Sequence, residues 1–219
     1  MLRPEIYTYL FLFLIFLAGC TGGSKKQESD LSQKSVVMDS SYLFDGKTLN
    51  RWKITNFGPQ GPVYVSGGNI VLGMGDGCTG ITYTDSFPKY NYEVTLEARR
   101  VAGNDFFCGM TFPVGNSPCT LIIGGWAGTV VGLSSIEGKD ASENETTRLM
   151  KFELGKWYAI KLRVTEKDIK VWIGNEQIVD FTIDGKKLSI RPEVRLSKPF
   201  GIASWNTTAE LRNIRLTRL

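Results

Sequence analysis

Short apolar runs separated by turn residues recur from residue 63 to the end of the chain. They predict strands at 63–66, 69–73, 80–84, 90–101, 106–112, 119–124, 129–135, 148–153, 157–165, 169–173, 177–183, 200–205 and 209–217. Turn signals such as Gly-Gly, Gly-Asn and Asp-Gly-Lys lie between these runs. No long window keeps a 3.6-residue apolar period, so we expect little helix beyond one short turn at 186–190.

The alternation inside the strands indicates which faces are buried. In the longest run, Tyr92, Val94, Leu96 and Ala98 share one face, and polar residues occupy the other. The runs at 158–164 and 169–173 alternate in the same way. Two antiparallel sheets packed face to face satisfy this pattern. About a dozen strands in one domain favour a jelly roll over an immunoglobulin sandwich of about seven. We therefore predict an all-β, antiparallel two-sheet jelly-roll sandwich over residues 41–219.

Composition narrows the range of functions. With 42% hydrophobic residues, the chain of 219 residues is long enough to bury one good core without help from a metal or disulfides. The formal charge is only +4, and the basic residues are scattered instead of clustered, so we expect no nucleic-acid partner. The chain has no histidine. This absence excludes a histidine-based triad, a HExxH zinc site and any imidazole general base.

The N-terminus has the character of an export signal. Leu10 to Leu17 form an apolar run shorter than the roughly 20 residues that a spanning helix needs. The following Leu17-Ala18-Gly19-Cys20 resembles the lipobox of bacterial lipoproteins. The resemblance implies a signal peptide at 1–19 and lipidation of Cys20. The exported protein would then be anchored to the bacterial cell envelope, at the outer membrane or a periplasm-facing membrane. Residues 20–40 are rich in Gly, Ser, Lys and Gln and are expected to form a flexible linker.

Three further cysteines, Cys78, Cys108 and Cys119, are an odd number for an exported protein. A turn near Gly115 and Asn116 would place Cys119 opposite Phe112 and Cys108 nearer Ile123. The two thiols would then share a face without being direct partners. One disulfide with one free thiol and three small core residues both remain open, with a slight preference for the second.

The stretch from Ser134 to Arg148 is a polar loop on an otherwise apolar, strand-rich region. It carries Glu137, Asp140, Glu143, Asn144 and Glu145. Loops mounted on a stiff sheet often hold binding or catalytic groups. Its carboxylates could hold Ca²⁺, although their spacing matches no EF-hand, and a solvated acidic loop accounts for them equally well. The sequence assigns no metal ligand.

Three segments carry a family resemblance. The opening LFDGKTLNRW, from Leu43 to Trp52, resembles the start of the 3-keto-disaccharide hydrolase family. The run from Gly155 to Asp180 resembles the hairpin of concanavalin A-like and laminin-G-like jelly rolls. The ending from Phe200 to Trp205 and the strand after it resemble the way these domains close. The resemblance implies a twisted concanavalin A-like sandwich whose concave sheet receives a sugar.

The resemblance also implies a reaction. Members of the family are thought to act on glycosides already oxidised to a ketone at C3, which acidifies the neighbouring C2–H. A base removes that proton, the C1 substituent leaves, and water then adds. This chemistry needs one carboxylate base and a positive or hydrogen-bonding group near the ketone oxygen. The predicted function is therefore a hydrolase of 3-keto-glycosides or 3-keto-disaccharides. The alternative is a non-catalytic carbohydrate-binding or surface-interaction module on the same fold.

Candidate catalytic residues are carboxylates and cations on exposed surfaces. Glu97 and Arg99 lie two apart on the non-core face of the longest strand and could act as base and oxyanion stabiliser, or only as members of cross-strand ion pairs. Glu143 of the acidic loop is the other candidate base.

Candidate substrate-binding residues are aromatic or hydrogen-bonding side chains. Trp126, flanked by small residues in Gly-Gly-Trp-Ala-Gly, offers an exposed ring to a sugar, although a core position would explain it equally well. For Trp172 both positions stay open, and for Trp205 the core is favoured. Further candidates to bind the sugar are Asn104, Asp105, Asn144 and Arg148. We expect Trp126 and the acidic loop to frame one end of a cleft, with a floor formed by strands such as 90–101.

Overall fold

Fifteen strands and one 3-10 helix organise residues 40–219, which are the residues described by the computed structural model. In chain order they are β1 (Ser40–Tyr42), β2 (Trp52–Ile54), β3 (Val63–Ser66), β4 (Asn69–Leu72), β5 (Cys78–Tyr83), β6 (Tyr92–Gly103), β7 (Cys108–Val114), β8 (Ser117–Gly125), β9 (Val130–Ser134), β10 (Arg148–Leu149), β11 (Tyr158–Val164), β12 (Asp168–Ile173), β13 (Glu176–Thr182), the 3-10 helix (Pro192–Ser197), β14 (Gly201–Trp205) and β15 (Thr207–Arg218).

Every strand that the sequence predicts overlaps a strand of the structure, although only the first two residues of the predicted strand 148–153 are in one, β10. The pattern missed β1 and β2, because three residues are too few to show an alternation. It also placed the helical turn at 186–190, whereas the 3-10 helix begins at Pro192. Proline is favoured at the first position of a helix because its φ is already helical and its missing N–H is not needed there.

The strands form two antiparallel sheets that pack face to face. Sheet 1 has eight strands in the order β13-β12-β11-β6-β15-β4-β3, and β1 pairs with the C-terminal part of β15. Sheet 2 has seven strands in the order β10-β9-β8-β7-β14-β5-β2. The predicted all-β, two-sheet jelly-roll sandwich is confirmed.

Sheet 1 has one buried face and one solvated face. Along β6 the side chains of Tyr92, Val94, Leu96 and Ala98 are buried, and the intervening residues are partly exposed. Strands β11 and β12 follow the same alternation. The polar outer face of this sheet therefore follows directly from the period of two in the sequence.

Sheet 2 is covered on both faces. Its strands β5, β8 and β9 are buried almost throughout. On the outer face, strand residues pack with residues of the covering segments in a second apolar cluster. It comprises Cys78, Phe106, Ile122, Val130, Ala141, Val194 and Ala203. Residues 106–136, which include β7, β8 and β9, contain no charged side chain. A strand buried on both faces loses the alternation and becomes a continuous apolar run.

The opening phrase of the domain closes one end of the core. Leu43 and Phe44 are buried, and Trp52 donates from Nε1 to the Leu43 carbonyl at 2.8 Å. Between them, the Asp45 carboxylate accepts hydrogen bonds from the backbone of Lys47 and Thr48 at 2.8 and 2.7 Å. These bonds lower the pKa of Asp45, and they fix the turn that returns the chain to the core.

The cysteine register is as predicted. Cys119 pairs with Phe112, and Cys108 pairs with Ile123. Cys78, Cys108 and Cys119 are all buried free thiols. Burial raises the pKa of each thiol to about 12, so none is a nucleophile at neutral pH.

Predictions for the N-terminal segment lie outside the described residues. The signal peptide at 1–19, the lipidation of Cys20 and the linker up to residue 39 therefore stay predictions. Within residues 40–219, no helix combines the length and the apolar character needed to cross a membrane.

Candidate functional site

A cavity of about 180 Å³ opens on the outer face of sheet 2. Its walls combine aromatic rings, apolar side chains and a few polar groups. The lining residues are Cys78, Asp105, Phe106, Thr120, Ile122, Trp126, Ser134, Arg191, Glu193, Val194 and Trp205. The strands provide the floor, and the turn before β7, the turn after β8 and the 3-10 helix provide the rim. An apolar pocket with a few convergent polar groups is the usual form of a small-molecule site.

Asp105 is the carboxylate at the end of the β6–β7 turn. Its Oδ1 accepts a hydrogen bond from the Phe106 amide at 2.7 Å, and its Oδ2 receives only a long one, 3.4 Å, from the Ala127 amide. Asp105 takes part in no ion pair within residues 40–219. One of its oxygens is therefore fixed, and the other is available to a ligand.

Arg191 is the cation of the cavity, and two carboxylates hold it. Its Nη2 donates to Glu193 at 2.8 Å, and its Nη1 donates to Asp140 of the acidic loop. Asp140 also accepts from the hydroxyls of Ser134 and Ser135 at 3.2 and 3.1 Å. The guanidinium lowers the pKa of Glu193, which stays ionised at neutral pH. With three of its five N–H groups engaged, Arg191 keeps donors for a ligand oxygen.

The Trp126 turn is built around the buried guanidinium of Arg100. Arg100 points to the inner side of β6 and donates from Nη2 to the carbonyls of Gly124 and Gly128 at 3.4 and 3.0 Å. A Cβ at Gly124 would lie 2.7 Å from Nη2, so glycine is required for this approach. Trp126 itself is 39% exposed and lines the cavity. The Gly-Gly-Trp-Ala-Gly segment therefore presents a ring to the cavity on a turn held from inside.

Replacing Arg100 is expected to loosen this turn. In Arg100→Met the side chain still fills the space, but two buried carbonyls lose their donor, at about 1–3 kcal/mol for each group left unsatisfied. We expect a lower unfolding free energy and a red-shifted Trp126 emission. Arg100→Lys should restore part of the unfolding free energy and reverse part of the emission shift, because lysine keeps a hydrogen-bond donor. An unchanged melting temperature and emission in Arg100→Met would contradict this role.

The acidic loop is organised by Asn144. Its buried Nδ2 donates to the carbonyls of Leu133, Lys139 and Asp140 at 2.7–3.1 Å, and its Oδ1 accepts from Thr146. No hydrogen-bonding capacity of this amide is left for a sugar. The predicted sugar contact through Asn144 has no support in this arrangement, in which Asn144 serves to order the loop.

Glu97 and Arg99 lie on the outer face of sheet 1, away from the cavity. Glu97 accepts from Arg212 at 3.1 Å and from the Asn213 side chain, and Arg99 pairs with Glu210 at 2.7 Å. The bond from Arg212 is the main reason that the pKa of Glu97 is lowered. A carboxylate held by two donors is a weaker base, so the cross-strand ion pairs account for these residues. Trp172 lies on the same face, under Lys161 and Arg163.

The remaining predicted contacts divide between the cavity and its surroundings. Asp105 and Trp126 line the cavity together, whereas Asn104, Glu143 and Arg148 are exposed and do not line it.

Two geometric expectations need correction. The floor of the cavity comes from β5, β8, β9 and β14 and not from the strand at 90–101, because that strand belongs to the opposite sheet. Trp205 lines the cavity beside Phe106 and is not part of the main core.

The structure gives the calcium prediction no support. No group of three or more carboxylate or thiol side chains within residues 40–219 is placed to share an ion. The loop carboxylates are instead used by protein groups: Asp140 by Arg191, Glu145 by Lys186 and Glu137 by the Lys187 amide.

Sequence reasoning missed Arg191 and Glu193, which flank Pro192 far along the chain from the loop they meet. No local pattern marks a long-range ion pair. One signal was available, however, in the charge-free run from 106 to 136. It indicates a sheet that is buried on both faces. A pocket can form between the outer face and the segments packed against it.

Comparison with known proteins identifies the family and the fold. A family model described as a 3-keto-alpha-glucoside-1,2-lyase-like domain matches residues 39–217. A search of curated proteins finds no match. Among solved structures, a protein named as a glycosyl hydrolase from Parabacteroides distasonis has a TM-score of 0.54 at 14% identity, covering 82% of this chain and 94% of its own. The carbohydrate binding module CBM66 from Bacillus subtilis has a TM-score of 0.53 at 14% identity, with coverages of 75% and 94%. The Crh5 transglycosylase has a TM-score of 0.56 at 11% identity, with 83% of both chains covered.

Proposed function

The chain belongs to the family of 3-keto-alpha-glucoside-1,2-lyase-like domains, which supports a carbohydrate-related function, and on that premise we propose that it cleaves 3-keto-glycosides in the cavity of sheet 2. The observation that carries the proposal is the meeting, in one small pocket, of an aromatic wall, a cation and a carboxylate that joins no ion pair within residues 40–219. Trp126 and Trp205 offer rings to the sugar, Asp105 offers the base, and Arg191 offers the positive group.

Each group has a role in the elimination. Asp105 takes the C2 proton through its weakly bound oxygen, and the C–H electron pair moves into an enolate whose charge rests on the C3 oxygen. Arg191 donates to that oxygen, where the charge develops. When the enolate collapses, the C1=C2 bond forms and the C1–O bond breaks. The leaving oxygen takes up a proton from water, to which Asp105 releases the proton that it removed. Water then adds to the unsaturated sugar and yields the free 3-keto sugar.

Asp105 is favoured over Glu193 as the base. The Arg191 ion pair lowers the pKa of Glu193 and makes it a weaker proton acceptor. The charge of Arg100 also acts on Asp105, but within residues 40–219 no ion pair engages the Asp105 carboxylate, and neutral backbone amides fix its orientation. Glu193, together with Asp140, then serves to hold Arg191 in place.

The size of the cavity suits a single sugar residue with the leaving group outside. A cavity of about 180 Å³ that is open to solvent can take one sugar ring, with the rest of the substrate directed outward. Aromatic walls pack against the apolar faces of a pyranose, and hydroxyl or charged groups orient its edges. The protein would then select its substrates by the oxidised ring and would accept many different aglycones.

The direct test incubates the purified protein with p-nitrophenyl 3-keto-glucoside and, as a control, with the unoxidised glucoside. We expect p-nitrophenol to be released only from the ketone, with deuterium from D₂O appearing at C2 of the product. Binding of the 3-keto sugar without any release would instead identify a carbohydrate-binding module. Equal release from both glycosides would exclude the elimination route.

Replacing the exposed ring should weaken substrate binding. In Trp126→Ala we expect KM to rise about tenfold, because a lost stacking contact of about 1 kcal/mol or more acts on ground state and transition state alike. Tyr64→Ala, which removes another exposed ring on β3, is the matched control and should leave KM unchanged. A Trp126→Ala enzyme with unaltered KM would exclude a stacking role for this residue.

A further inference from the structure

A line of five side chains crosses the outer face of sheet 1, from β12 to β1. The register places Trp172 beside Lys161, Lys161 beside Thr95, Thr95 beside Arg215, and Arg215 beside Tyr42. Neighbouring strands are about 4.8 Å apart, so the Cα atoms of Lys161 and Arg215 lie about 10 Å from each other, with Thr95 between them. We call this arrangement the cation groove.

Among the residues that the structure describes, the two cations of the groove have no acidic partner. On the same face Arg99, Arg163 and Arg212 pair with Glu210, Glu93 and Glu97, and Lys170 lies between Asp168 and Asp180. Lys161 and Arg215 join none of the ion pairs within residues 40–219. Each lies over an aromatic ring instead: Lys161 Nζ is 4.2 Å from the centre of the Trp172 ring, and Arg215 Cζ is 3.9 Å from that of Tyr42. A ring orients a cation and leaves its N–H donors free.

The space between the cations is open. Thr95, Ala159 and Gly174 are small, and they leave a shallow cavity of about 500 Å³ that Lys161 and Arg215 also line. Glu97 is the carboxylate in this cavity; Arg212 offsets its charge, and the Asn213 amide donates a hydrogen bond to it. The groove therefore presents a net positive charge to a ligand.

We propose that the cation groove binds an acidic glycan, one that carries uronate or sulfate groups along an extended chain. Two separated cations on an open face suit a polymer with repeated anionic groups better than a single buried ion. A glycan is the polyanion that fits a domain of a carbohydrate-related family. The site is independent of the proposed cleavage, because it lies on the sheet opposite the cavity. Its expected role is to hold the protein on a glycan surface.

Affinity electrophoresis of the full chain tests the groove with matched polymers. Dextran sulfate and polygalacturonate are expected to retard the protein, and uncharged dextran is not. The retardation should weaken as salt is added, since exposed charges are screened over about 10 Å at 0.1 M ionic strength. Vesicles of phosphatidylcholine with and without phosphatidylglycerol form the second arm, and we expect no preference between them.

Two double variants separate the groove from overall charge. Lys161→Gln with Arg215→Gln should weaken binding of the acidic polymers about tenfold, since both exposed ionic contacts of the groove are removed. Lys53→Gln with Lys198→Gln removes the same charge elsewhere and should change binding by less than about twofold. Both variants should release p-nitrophenol at the wild-type rate if the parent does.

The proposal would be overturned by equal retardation in both double variants, by equal binding of neutral dextran, or by no binding of either acidic polymer. Tight binding to anionic vesicles with weak binding to acidic glycans would also overturn it and would assign the groove to a lipid surface. None of these results bears on cleavage in the cavity of sheet 2. Activity on the 3-keto-glucoside therefore succeeds or fails separately.

Discussion

Asp105→Asn is expected to lower kcat on a 3-keto-glucoside by about 10²–10⁴-fold, the usual contribution of a positioned general base. The amide keeps an oxygen that can accept from the Phe106 amide, as Oδ1 does at 2.7 Å, so the β6–β7 turn is retained. What it loses is the free oxygen that accepts the C2 proton. The substrate dissociation constant should change little, since the shape of the cavity is preserved. Single-turnover kinetics together with calorimetric binding of the 3-keto sugar separate these effects.

Three controls locate the base. Asp180→Asn makes the same chemical change on an exposed strand of sheet 1 and should leave kcat unchanged. Glu193→Gln should produce a smaller loss, with a raised KM, because it loosens Arg191 without removing the proton acceptor. Glu97→Gln should retain full activity, as its carboxylate belongs to an ion pair on the other sheet. If Glu97→Gln were inactive and Asp105→Asn fully active, the reaction would take place on sheet 1, as the sequence first indicated.

The fold was predictable because its main signals are local. The alternation from Tyr92 to Arg99 is a property of consecutive residues, and it determines which face of β6 is buried before any partner strand is known. The turn at Gly115 and Asn116 similarly sets the register of β7 and β8, which is why Cys108 and Cys119 could be placed correctly. The opening segment indicated the family because its polar and aromatic residues form one closed turn, in which Trp52 donates a hydrogen bond to the Leu43 carbonyl.

The site was harder to predict because it depends on contacts distant in sequence. Asp140 and Arg191 are in contact although 51 positions separate them in the sequence. Trp205 lies beside Phe106 because β14 pairs with β7. The sequence shows Glu97 and Asp105 alike as acidic residues near a strand. Only the sheet order shows that Arg212 neutralises the first and that the second opens into a cavity. Asp105 and Trp126, which both line the cavity, could be predicted as candidate binding residues because turns and flanking glycines are local signals.

Phe200→Ala is expected to destabilise the domain by about 3–5 kcal/mol, the usual cost of removing a large aromatic ring from a core. Phe200 is completely buried. Its ring stacks on Phe87 with centroids 4.2 Å apart, and it also lies 5.8 Å from Trp52 and 6.4 Å from Tyr83. The cavity left by alanine would be lined by rings that cannot close around it. At about 2–4 °C per kcal/mol for a domain of this size, the melting temperature should fall by roughly 10 °C.

The same change should spare the chemistry below the melting temperature. Phe200 immediately precedes β14 and Trp205 ends it, about 17 Å away at 3.4 Å per residue, so the cavity on sheet 2 should keep its shape. Leu154→Ala, at a side chain that is 64% exposed, is the control and should alter the unfolding free energy by less than about 0.5 kcal/mol. If Phe200→Ala and Leu154→Ala had the same melting temperature, the aromatic cluster would not be a main source of stability. If kcat fell in Phe200→Ala well below its melting temperature, the core would be coupled to the cavity through β14.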